Sequence, residues 1–151
     1  MKNRFLIFAF IFLTVISCGE NEEAPTEDDC AGQVCEATPG TNEAATTVPT
    51  TLHGTYNMII TFAESNSPYP EGTRATFTIS ETKLTIAIAG EDCFSIINPV
   101  TRSPFTAPVF KADCIGDLAF QIAANSSGGI EEINMIFASG PGYYGQFRVE
   151  E

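Results

Sequence analysis

The groups able to do chemistry in this 151-residue chain are five cysteines, a single histidine and nineteen acidic side chains set against seven basic ones. His53 stands between Leu52 and Gly54 with no evident nucleophile or acid beside it, and reads as a solvent-facing residue at the entry to a strand. Carboxylates pair at Glu91-Asp92 and Glu131-Glu132, and Asp113 and Asp117 straddle Cys114. A glycan hydrolase needs two carboxyl groups facing each other across a sugar, whereas adjacent residues of a strand point to opposite faces. The doublets therefore read as solvated turns and strand ends. Loop carboxylates such as Asp92, Asp113 and Asp117 are the oxygen ligands that calcium takes, but neither a metal nor an organic cofactor is expected. No Gly-x-Ser-x-Gly elbow or His-Glu-x-x-His helix occurs. No catalytic residue is assigned, and the chain reads as a non-enzyme.

Aromatic side chains offer a different chemistry. Tyr143 and Tyr144 follow the turn-forming string Ser139-Gly140-Pro141-Gly142, while Tyr69 and Phe105 sit in long proline-bearing loops. Rings held in this way can stack on sugars or close over an apolar ligand. These four are the candidate ligand contacts, with capping of the core as their alternative use.

The chain begins with Lys2 and Arg4, continues with Phe5 to Ile16, apolar apart from Thr14, and reaches Ser17 and Cys18. A basic start, a short apolar run and a small-residue cleavage zone make a secretory signal. As a helix the run would span about 18 Å against about 30 Å of hydrocarbon, so its removal is expected rather than a permanent membrane span. The string Val15-Ile16-Ser17-Cys18 resembles the lipobox of bacterial lipoproteins. That resemblance implies cleavage ahead of Cys18, a diacylglyceryl group on its thiol and acylation of the new amine. One acyl chain binds a membrane marginally and several bind it stably, so such an anchor on the outer membrane needs no spanning helix. The acidic string Gly19 to Glu23 is similar to the export signal of some surface lipoproteins, which implies display at the cell surface; a periplasm-facing position is the alternative.

Loss of Lys2 and Arg4 takes the net charge from −12 to −14. Nucleic acid and anionic lipid surfaces are excluded as partners by like-charge repulsion, so the membrane is reached through the lipid on Cys18 alone. With Cys18 lipidated, Cys30, Cys35, Cys93 and Cys114 remain, an even set outside the reducing cytosol and thus expected as two disulfides. Three connectivities are open. The spacing favours Cys30 with Cys35 and Cys93 with Cys114. One C-x₄-C pair and one histidine make a poor zinc set, and the spacing is wrong for a redox C-x-x-C.

Between Gly19 and Thr51 there is no aromatic residue, and Val34 and Val48 are the aliphatics apart from alanine. So little apolar surface cannot offset the entropy of ordering. The expected organisation is a signal peptide over 1–17, a lipidated, acidic, flexible tether over 18–51 and one folded domain over 52–151. From Leu52 onward apolar residues recur at every second position. Ala75, Phe77 and Ile79, followed by Leu84, Ile86 and Ile88, predict a tight antiparallel hairpin. Further strands are expected near 55–63, 93–98, 109–112, 118–124, 131–138 and 143–149, with turn formers between them. About eight short strands and no helix make an all-β antiparallel meander. Closure into a small barrel removes exposed edges, and a two-sheet sandwich is the alternative. The opening Leu52 to Ile60 resembles the first strand of lipocalin-like domains, which implies that the Gly-x-aromatic pair Gly54 and Tyr56 plugs one end of the barrel.

The function expected on these grounds is a membrane-anchored, non-catalytic binding module for a small molecule, glycan or peptide. The alternatives are an accessory lipoprotein that docks to an outer-membrane protein complex and, less favoured, a carboxylate-based glycan hydrolase. Mass spectrometry of the intact protein, extracted in mild detergent from its native membrane, is expected to find a lipidated Cys18 as the first residue and two disulfides. An unmodified Cys18 with residues 1–17 still attached would overturn the anchor.

Overall fold

The computed structural model describes residues 32–103 and 106–150; the expected signal peptide, Cys18, Cys30 and Phe105 lie outside the described residues. In chain order the strands are β1 (Gln33–Glu36), β2 (Glu43–Ala45), β3 (Gly54–Ala63), β4 (Arg74–Ile79), β5 (Lys83–Ile88) and β6 (Phe94–Ile97). They continue with β7 (Val100–Arg102), β8 (Val109–Lys111), β9 (Leu118–Ala124), β10 (Ile130–Phe137) and β11 (Tyr143–Val149). All eleven join one strongly curled sheet, a half-barrel, in the order β1-β6-β5-β4-β3-β11-β10-β9-β8-β7-β2. Every neighbouring pair is antiparallel except β1 with β6. The protein is all-β, and one sheet rather than two packed sheets carries its core.

The expected hairpin forms as β4–β5, with Ala75 opposite Ile88, Phe77 opposite Ile86 and Ile79 opposite Leu84. Period-two patterning turns these six side chains to the concave side, where all are buried. The same side receives Met58 and Ile60 from β3, Phe110 from β8, Phe120 and Ile122 from β9, Ile133 and Met135 from β10 and Phe147 from β11. Phe77 is the centre of this packing: its ring meets Phe147 edge-on at 4.9 Å between centroids and Phe120 at 6.0 Å. Edge-to-face contact adds to the burial of each ring, itself worth roughly 1.5–3 kcal/mol. On the convex side of the same strands Thr85 and Ser95, opposite each other in register, are also buried; their hydroxyls bond at 2.9 Å, so neither is left unsatisfied.

One end of the half-barrel is closed by the segment leading into β3. Val48 and Leu52 are buried there, and a single 3₁₀ turn over Thr50–Leu52 presents them. The Tyr56 hydroxyl donates to the Leu52 carbonyl at 3.2 Å, and His53 Nε2 donates to the Val48 carbonyl at 3.0 Å. Gly54 has φ +150°, and a Cβ on it would lie 3.4 Å from the Tyr56 hydroxyl. The chain thus turns into β3 directly beneath the tyrosine that ties the plug down.

The fold corrects two expectations. The boundary at residue 51 is misplaced, because residues 33–51 belong to the folded unit: β1 lies alongside β6, β2 pairs with β7, and Cys35, Ala37 and Val48 are buried. Low apolar content misled the sequence reading. This segment is held by backbone pairing and by a few fixed ties rather than by a hydrophobic stripe of its own. The disulfide pairing is corrected as well. Cys35 bonds Cys114, with Cα atoms 6.2 Å apart across 79 residues of chain, and Cys93 is separately disulfide-bonded. Short sequence spacing was the wrong guide, since the curl of the sheet carries β1 to the connection between β8 and β9.

A loop of 79 residues corresponds to about 4.5 kcal/mol of stabilisation on the chain-entropy model. The double variant Cys35→Ala/Cys114→Ala is therefore expected to lower the unfolding free energy by about that amount in urea titration. Recovery of a Cys93–Cys114 crosslinked peptide from the oxidised wild type would contradict the pairing.

Candidate functional site

Because the concave side is packed with phenylalanine, isoleucine and methionine, space for a ligand lies at the surface. A cleft of about 370 Å³ opens at the end of the half-barrel opposite the Tyr56 plug. Three elements build its walls. Asn66, Pro68 and Tyr69 come from the β3–β4 loop, Ile115 and Asp117 from the β8–β9 connection, and Phe94, Leu118 and Tyr144 from the first turns of β6, β9 and β11.

Local hydrogen bonds set each wall. The Ser67 hydroxyl donates to the Tyr69 carbonyl at 2.8 Å and accepts from its N–H at 3.4 Å, fixing the Pro68-Tyr69-Pro70 turn. The Glu64 N–H donates to the Tyr144 carbonyl at 2.8 Å, joining that loop to β11. The Tyr144 ring lies 4.5 Å from that of Phe137, and Phe94 rests 6.3 Å from Phe120 in the core. Tyr69 is partly buried against the same cluster. Burial, and then the negative charge of Glu91, push its phenol above the ordinary tyrosine range.

The sequence-assigned aromatics separate. Tyr69 and Tyr144 line the cleft together. Tyr143, one residue earlier on β11, faces the convex side, where it stacks on Phe62 at 6.0 Å and its hydroxyl approaches Asn134 Oδ1 at 3.1 Å and Gln146 Oε1 at 3.0 Å. Its phenol is pushed up to about 12, first by burial and then by the charge of Glu132. The alternation of strand side chains thus assigns two consecutive tyrosines to opposite surfaces. Phe94, Ile115 and Leu118 escaped the sequence reading because nothing in their local pattern distinguishes a rim residue from a core residue.

A second cleft, of about 480 Å³, lies over β2, β7 and the β10–β11 turn. Its floor is an ionic knot. Glu43, whose side chain is only 9% exposed, receives Lys111 Nζ at 2.6 Å, Arg102 Nε at 2.9 Å and the Gly40 N–H at 2.7 Å. Arg102 also donates from Nη1 and Nη2 to the Phe137 and Ala138 carbonyls, and Asp117 accepts the Ser139 N–H at 2.8 Å. These bonds hold the Ser139-Gly140-Pro141-Gly142 turn. A Cβ on Gly142 would fall within the Phe137 ring, so only glycine fits there. Held by Glu43 and by two carbonyls, Arg102 acts here as a tie between β2, β7 and the β10–β11 turn. The string Gly140 to Gly145 matches G-x-G-x-x-G, but it joins two antiparallel strands instead of leading from a strand into a helix, which removes the geometry that cradles phosphate.

Glu132 pairs across the sheet with Arg148 at 2.9 Å. Among the described residues no three His, Cys, Asp or Glu side chains are placed to hold a metal ion, and His53 serves the plug. The chain matches no family model, no curated protein and no solved structure. Its reading therefore rests on the geometry above.

Glu43 combines opposing effects. Burial acts to raise its pKa, but the bonds from Lys111, Gly40 and Arg102 outweigh this and lower it below the ordinary 4.5. A carboxylate whose pKa is lower in the folded than in the unfolded state stabilises the fold above its ordinary pKa, and that contribution fades as the pH drops through the lowered folded value. Glu43→Gln is expected to reduce stability at pH 7 by about 2 kcal/mol, the scale of a hydrogen-bonded charged group. Urea unfolding should show this deficit shrinking steadily as the pH is taken from 4.5 toward 2. A deficit independent of pH would mean that Glu43 acts through shape alone.

Proposed function

We propose that this protein is an extracytoplasmic lipoprotein, held on the outer membrane through Cys18 and displayed at the cell surface, that binds a small molecule or a short glycan without transforming it. The observation that carries the binding reading is an aromatic-lined cleft set over a solid interior. Tyr69, Phe94 and Tyr144 offer ring faces at one rim, backed by Ile115 and Leu118, while Asn66 and Asp117 supply polar groups at its margin. A few placed polar groups around apolar and aromatic walls are the usual composition of a small-molecule site. With the interior filled, the ligand is gripped at the mouth rather than enclosed.

The oxidised Cys35, Cys93 and Cys114 support a compartment outside the reducing cytosol. The non-catalytic part of the reading is supported by the occupations of the candidate groups: His53 closes the barrel end, Glu132 answers Arg148, and Asp117 braces a turn. A second reading, docking to a membrane protein complex, draws on the convex face, where Phe62 is 41% exposed and stacks on Tyr143.

The test is titration of the full chain with a panel of saccharides and small metabolites, observed through tyrosine ring resonances. A binder that shifts Tyr69 and Tyr144 is expected to lose at least tenfold in affinity in Tyr144→Ala and to be unaffected by Phe62→Ser. If no panel member moves those rings, while Phe62→Ser abolishes crosslinking to a membrane protein in cells, the docking reading replaces this one.

A further inference from the structure

We propose that the cleft at the mouth of the half-barrel selects ligands that carry an organic ammonium group over neutral ligands of the same shape. This rests on the reading of that cleft as a ligand site and adds the charge class of its occupant.

The topology makes the argument. Four connections rise around the mouth: residues 64–73 between β3 and β4, 89–93 between β5 and β6, 112–117 between β8 and β9, and 138–142 between β10 and β11. Together they carry Glu64, Glu71, Glu91, Asp92, Asp113 and Asp117, and not one lysine or arginine. The basic residues of the folded unit lie outside these connections, although Arg102 bonds the Ala138 carbonyl and its charge reaches Asp117. Arg74 pairs with Glu150, Arg148 with Glu132, and Lys111 and Arg102 both with Glu43, while Lys83 begins β5 at the opposite end of the sheet. Every formal charge in these four connections therefore has one sign.

Two of these connections contribute to a cleft lined by three aromatic rings, with Asp117 in its wall. Tyr69, Phe94 and Tyr144 line the cleft, and an aromatic ring attracts a cation lying over its face, the interaction used to recognise quaternary ammonium groups. Asp117 stands in the cleft wall and accepts the Ser139 N–H, a bond that favours its ionised form. Glu91 is close enough to Tyr69 for its charge to act on the phenol. Low-dielectric walls concentrate such a field within a cleft. An ammonium ligand gains from both the rings and the carboxylates, a neutral one gains from the rings alone, and an anionic one is repelled. The volume of about 370 Å³ suits a molecule of metabolite size.

The test compares choline with its uncharged isostere 3,3-dimethylbutan-1-ol on the full oxidised chain, following the ring resonances of Tyr69, Phe94 and Tyr144. Choline is expected to bind at least tenfold more tightly, with the preference reduced severalfold in Glu91→Gln and by 0.5 M salt. Equal affinity of the two probes at these rings would overturn the ammonium preference while leaving the cleft reading in place. Failure of both probes, alongside a saccharide that shifts Tyr69 and Tyr144, would overturn the ammonium preference alone. Failure of both probes and of the whole panel would remove the cleft reading with it.

Discussion

The packing of Phe77 against Phe147 and Phe120 decides what kind of protein this half-barrel can be. A curled sheet of this size encloses room for side chains or for a ligand, but not for both. Here bulky residues from eight strands meet in the concave space, and the rings interlock edge to face. Interiors packed to this degree resist the insertion of even one further group. Space for a small molecule is thereby confined to the surface, where the loops are free to differ in composition without disturbing the core.

A curled sheet that does not close through hydrogen bonds must hold its ends in another way. Three ties do so, and all of them involve the segment before β3. The Cys35–Cys114 bond joins β1 to the connection between β8 and β9. Glu43 binds cations from β7 and β8, drawing β2 over the convex face where Val100, Val109 and Ala119 form a small second core. Val48 and Leu52 then plug the closed end on the way into β3. A buried carboxylate is costly to desolvate, yet two cations and a backbone N–H offset that cost and fix the register of a strand too short to fix its own.

The same ties shape the mouth. Cys114 stands one residue before Ile115, and Arg102 and Asp117 together brace the turn that precedes Tyr144, so the cleft walls are positioned by a disulfide and by turn-bracing hydrogen bonds. This arrangement separates roles cleanly along β11. Tyr144 belongs to the mouth, Tyr143 to the convex surface and Phe147 to the core.

From Leu52 onward every strand but the three-residue β7, which lies in a proline-bearing stretch that reads as a loop, is legible in the sequence, because alternation of apolar and polar residues is imposed residue by residue and needs no partner to be read. The β4–β5 hairpin is the clearest case, its inward side chains following directly from period two. The segment 33–51 was not legible, since Cys35, Glu43 and Val48 are scattered among exposed residues and gain their meaning only from partners dozens of residues away. The cleft was half legible. Tyr69 and Tyr144 declared themselves by standing in or beside turn-rich loops, whereas Phe94, Ile115 and Leu118 look like any core residue until the loops are assembled around them. The sequence by itself determined an all-β chain, its main strands and the acidic character of its loops, because each depends on local pattern or composition. Only the tertiary structure decided which cysteines meet, that the interior is filled and that four connections free of lysine and arginine share one end of the sheet. Those depend on the curl of the sheet, which brings together residues that no local spacing relates.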